Sequence, residues 1–84
     1  MNNKVCVIVE TPALRREDDM LLPDYVPIQI LQKLIADAVK DVSDGAFVPT
    51  GKELLCRRED GIILHPQYTL ADYRTTDGMH LMLF

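Results

Sequence analysis

The side chains of this chain that could do chemistry are few and scattered: His65, His80, Cys6, Cys56 and the adjacent carboxylates Asp18-Asp19 and Glu59-Asp60. A histidine base needs the proton it abstracts within hydrogen-bond reach, and no Ser or Cys stands at a spacing that points to either histidine. Catalytic acid pairs need environments that pull their pKa values apart. Here acidic residues directly follow each of the basic pairs Arg15-Arg16 and Arg57-Arg58, the pattern of solvated surface charge. Cys6 and Cys56 show neither Cys-x-x-Cys nor Cys/His ligand spacing. Both lie in apolar runs, where a free thiol packs as a small hydrophobe. By residue type Cys6, Cys56, His65 and His80 could ligate a metal, but nothing in their spacing supports it. A phosphate-cradling glycine loop, HExxH and a nucleophile elbow are all missing. The reading is therefore no enzyme, no metal and no cofactor.

Composition narrows the remaining classes. A chain of 84 residues, 48% of them hydrophobic, reads as a single domain over 1–84 with a core only just large enough to fold alone. Its net charge of -4 counts against nucleic acid, since neutralising phosphates takes clustered Lys and Arg. No apolar run approaches the roughly 20 residues that span a bilayer, and no signal peptide opens the chain. A cytoplasmic protein with reduced cysteines is the expectation, with no insertion into a membrane.

The elements follow from periodicity. Val5, Val7 and Val9 alternate around Cys6 and Ile8, a strand with apolar residues on both faces and so a central place in a sheet. Thr11-Pro12 ends it. Arg15 to Asp19 reads as a charged connection to a second strand around Met20-Leu21-Leu22. From Pro27 to Val42 the apolar residues Ile28, Leu31, Leu34, Ile35, Ala38, Val39 and Val42 recur at helical spacing. Pro27 suits the first turn, Asp24 is the expected cap, and Gly45 offers a left-handed stop. Glu53 to Arg57 is a third strand, Ile62-Ile63-Leu64 a fourth across the Asp60-Gly61 turn, and Met79 to Phe84 the last. The order β-β-α-β-β-β, with one helix on a mixed sheet, makes a two-layer α+β domain.

With catalysis set aside, the surface carries the function. Alternation in the last strand turns Met79, Leu81 and Leu83 toward the helix and His80, Met82 and Phe84 away from it. In the third strand Leu54 and Cys56 are expected inward, leaving Leu55 and Arg57 outward. Ile8 lies on the matching face of the first strand. An open face bearing Ile8, Leu55, Arg57, His80, Met82 and Phe84 is more apolar than a monomer needs and reads as a protein-binding surface. The same face suits a second copy of the chain, so a homodimer stands beside a hetero-partner.

Two sets of residues then resemble a known family. Thr69-Leu70-Ala71-Asp72-Tyr73 is similar to the turn before the final strand of ubiquitin, and the whole chain resembles the ubiquitin-like β-grasp fold. That resemblance implies sheet order 2-1-5-3-4, places Leu55, His80 and Met82 at the ubiquitin recognition patch, and separates Cys6 from Cys56 by the last strand, against a disulfide. Leu22-Pro23-Asp24-Tyr25-Val26-Pro27, followed by Leu31 and Ile35, resembles the hallmark of the YukD/EsaB family of small bacterial ubiquitin-like proteins. Membership implies a cytosolic, non-conjugated accessory or regulatory component of a type VII (ESX-like) secretion system, with secretion-apparatus proteins as partners. The alternative is a ubiquitin-like modifier or sulfur carrier activated at its carboxylate. No Gly-Gly follows the last strand, which disfavours that alternative.

Overall fold

The computed structural model describes residues 3–84. Strand β1 (Lys4–Thr11) and strand β2 (Arg16–Pro23) form an antiparallel hairpin, joined by a 3-10 turn at Pro12–Leu14 and by Arg15 in the left-handed region at φ 52°. The charged residues Arg16 to Asp19, expected in a connection, belong to β2. Opposite them lie Thr11, Glu10, Val9 and Ile8 of β1, and that pairing overrides their weak strand propensity. Within this stretch Arg16 pairs with Asp18 at 2.9 Å.

Helix α1 (Ile28–Val42) buries Ile28, Leu31, Ile35, Ala36 and Val39. Leu34 and Val42, expected in that stripe, stay about half exposed. Its start differs from the expected cap. Pro27 is the N-cap and no side chain caps the helix; instead the Ile28 and Gln29 N–H groups donate to the carbonyls of Tyr68 (2.8 Å) and Pro66 (2.9 Å). The distant turn thus satisfies donors that a helix leaves orphaned. At the other end Asp44 and Gly45 both take positive φ, and Gly45 N–H returns to the Lys40 carbonyl, a left-handed stop.

Strand β3 (Leu55–Arg57) and strand β4 (His80–Leu83) complete a four-stranded sheet of order β2-β1-β4-β3. β4 runs parallel to β1 and antiparallel to β3, so the sheet is mixed and β1 is internal. The expected fourth strand at Ile62–Leu64 is reduced to one bridge, Cys56 to Ile63; His65-Pro66 follows at once, and proline cannot extend a ladder. With that piece counted, the order is the one expected from the β-grasp resemblance. Val5, Val7 and Val9 of β1, Leu22, Leu55, Leu81 and Leu83 meet the helix in one core, joined by Leu64 and Leu70.

The 69–78 region is tied down by its own hydrogen bonds. The Thr69 hydroxyl accepts from the Asp72 N–H, and the Asp72 carboxylate accepts from the Thr69 N–H. Gly78, at φ 89°, turns the chain into β4 while its N–H donates to the Cys6 carbonyl.

Candidate protein-interaction surface

One side of the sheet packs on the helix; the other carries the even-numbered residues of β1 and β4. Ile8 stands opposite His80, and Glu10 opposite Met82. Leu81 and Leu83, which alternate with them in sequence, are buried, so His80 and Met82 point away from the core, as their alternation predicts. Phe84 lies beside Leu54 through reciprocal backbone hydrogen bonds of 2.8 and 3.0 Å. Their side chains are 57% and 44% exposed. Ile63 at the bridge and Leu21 on β2 add further exposed apolar surface.

The third strand sits one residue out of the expected phase. Leu55 has no exposure at all and faces Leu83 inside the core, so it cannot belong to an outer surface. Its pairing with an inward residue fixes this, because partners directly opposite share a face. Cys56, opposite Met82, takes the outer position instead, and Leu54, expected inward, is exposed. Arg57 follows Leu55 to the helix side. There its guanidinium lies 5.6 Å over the Tyr73 ring and donates to Asp60. That hydrogen bond holds the Asp60 carboxyl below its ordinary range and raises the Arg57 pKa. Of the residues expected on the face, Ile8, His80, Met82 and Phe84 are there, while Leu55 and Arg57 are not.

Sequence reasoning missed a polar cluster on the same face. His80 Nδ1 lies 2.9 Å from Glu10 Oε2 and 3.2 Å from Arg58 Nη1, and Arg58 Nη1 lies 3.1 Å from the same Glu10 oxygen. Glu17 reaches within 4.0 Å of His80 Nδ1. Glu10 and Glu17 pair directly across the hairpin. Once residues 16–19 are read as strand, the same period-two rule that places Ile8 places Glu10, Glu17 and Asp19. Glu10, Glu17 and His80 offer ligand atoms within 4.8 Å of one another, a donor set that suits Zn²⁺ by type. Arg58 already engages the two atoms a cation would use first.

The remaining reactive groups lie apart from one another. His65 stacks 4.8 Å from Tyr68, and its Nδ1 accepts from the Gln67 N–H. Cys6 is exposed and Cys56 buried, both free. β4 runs between their strands, about two inter-strand spacings of separation, beyond disulfide reach. Burial pushes the Cys56 thiol pKa up. No helix among the described residues is long and apolar enough to cross a membrane.

Comparison with known proteins agrees with this geometry. The family model for YukD of the WXG100 protein secretion system (Wss) matches residues 6–83. The chain superposes on the ubiquitin-like domain of the Mycobacterium tuberculosis type VII secretion system protein EccD1 with TM-score 0.79 and 23% identity, over 99% of this chain and 98% of that one. The EccD5 ubiquitin-like domain from Mycobacterium xenopi gives 0.74 and 20%, over 99% and 94%. A chain of the MycP5-free ESX-5 inner membrane complex gives 0.74 and 21%, over 99% of this chain and 21% of that longer one. No curated protein matches the chain in sequence.

Proposed function

Because the chain belongs to the YukD family of the WXG100 protein secretion system, we propose that it is a non-catalytic accessory module of a type VII secretion apparatus, docking on other components from the cytoplasmic side. The outer sheet face is its contact surface. The carrying observation is the solvent-facing apolar set on that face, Ile8, Leu54, Ile63, Met82 and Phe84, around the His80–Glu10–Arg58 cluster. Exposed apolar side chains gathered on one face mark a protein-interaction surface. The similarity to a chain of an ESX-5 inner membrane complex supports apparatus components as partners.

Genetic complementation tests the reading. In the source organism, deletion of the gene is expected to stop export of WXG100 substrates, and the wild-type chain to restore it. Met82→Asp and Ile8→Asp are expected to fail while keeping a native far-UV circular dichroism spectrum. Full export with both variants removes the outer sheet face as the contact surface.

A further inference from the structure

The ladder registers turn the outer face into a grid with an uneven charge distribution. Asp19, Ile8 and His80 stand abreast on β2, β1 and β4, and Arg58 continues the rank through its N–H to the His80 carbonyl. Glu17, Glu10, Met82 and Cys56 form the next rank. Phe84 and Leu54 lie beyond it. Carboxylates therefore gather at the Glu10–Glu17 end of the β2–β1 hairpin, with Ile8 beside them, while Met82, Cys56, Phe84 and Leu54 make the β4–β3 half apolar; Leu21 adds an apolar side chain further along β2. Arg58 and His80 both engage Glu10. Glu17 and Asp19 are exposed and, among the described residues, have no Lys or Arg partner.

We propose that this face receives a cationic amphipathic segment of a partner protein, its Lys or Arg side chains over Glu17 and Asp19 and its apolar side chains over Ile8, Met82 and Phe84. The inference rests on the outer face being the contact surface and adds the chemistry of what binds there. A purely apolar partner would bury two uncompensated carboxylates, which is costly. An acidic partner meets like charge at the corner, a source of discrimination. A second copy of the chain fits poorly too. The basic residues of the face are Arg58, already engaged with Glu10, and Lys4 at the opposite end of β1 from Glu10, so a two-fold contact brings at most one lysine to the two carboxylates Glu17 and Asp19 of each copy.

The test is an amide NMR titration of the intact protein with two synthetic amphipathic helical peptides. They share the same Leu positions and carry Lys or Glu on the polar side. The Lys peptide is expected to shift the amides of Ile8, Asp19 and Met82; the Glu peptide at equal concentration is not. The double variant Glu17→Gln/Asp19→Asn is expected to weaken the Lys peptide about five-fold, the sum of two exposed ion pairs. Asp37→Asn/Asp41→Asn on the exposed side of the helix changes net charge equally and is expected to leave binding within about two-fold. Equal losses in the two double variants mean that net charge alone attracts the peptide, and they overturn the proposal. So do equal shifts by both peptides, no shift by either, or a concentration-dependent dimer built on this face in analytical ultracentrifugation. Equal shifts at Met82 leave the contact surface standing and remove only its cationic specificity. The complementation assay reports on that surface separately.

Discussion

The phase of β3 decides which residues the outer face contains, and alanine substitutions at two neighbouring leucines measure it. Leu55 is 0% exposed and Leu54 is 44% exposed. Leu55→Ala removes a fully buried side chain and leaves a cavity between α1 and the sheet, a change that costs about 3–5 kcal/mol. Leu54→Ala forfeits roughly half the burial of a leucine, about 1 kcal/mol. For so small a domain the urea m-value is about 1 kcal/mol/M. The unfolding midpoint is therefore expected to fall by about 3 M or more for Leu55→Ala and by at most about 1 M for Leu54→Ala. Far-UV circular dichroism in urea reads both. Should Leu55→Ala prove too unstable to fold, Leu55→Val at about 1 kcal/mol can be set against Leu54→Val, expected to be near neutral. Equal costs at the two positions, or a larger cost at Leu54, would refute the register and return Leu55 to the surface.

Three further outcomes follow from buried groups. The Thr11 hydroxyl is sealed from solvent with no hydrogen-bond partner among the described residues. Thr11→Val keeps the shape and removes the orphan, so it is expected to raise stability by about 1 kcal/mol in the same urea assay; a loss would mean the hydroxyl is satisfied. Exposed Cys6 is expected to react with a thiol-specific reagent well before buried Cys56, whose thiol pKa burial raises. Peptide mass mapping after timed alkylation checks the order. Burial pushes the Glu53 carboxyl up, but hydrogen bonds from Thr50 and Gly51 outweigh it, leaving its pKa below the ordinary 4.5. A depressed folded-state pKa stabilises above the unfolded value and loses that contribution as pH falls through the folded one. The Tm gap between the wild type and Glu53→Gln is thus expected to be widest near neutrality and to close in acid; a pH-independent gap would contradict this.

Much of the fold was legible because its signals were redundant. The Val5-Val7-Val9 alternation, the helical repeat from Ile28 to Val39 and the alternation of β4 each have one sensible phase. The outer positions of Ile8, His80 and Met82 follow from them. The third strand offered no such choice: Leu54, Leu55 and Cys56 are all apolar, so either phase is plausible from sequence. Only pairing with Leu83 selects one. Arg57 looked like a surface charge, yet its guanidinium lies over the ring of Tyr73, sixteen residues on. The acidic half of the face stayed hidden because residues 16–19 resemble a loop until β1 pairs with them.

The position of β4 also shapes how the molecule is made. Glu10 and His80 touch although they are 70 residues apart along the chain. β4 is inserted between β1 and β3, so until it arrives the hairpin and β3 have no ladder in common. The hairpin and helix rest on local contacts and can form early, but sheet completion must close the longest loop in the molecule. A ribosome-bound chain therefore carries an open β1 edge until residues 80–83 emerge. The nascent protein is at its most aggregation-prone in that interval, and the arrival of β4 ends it.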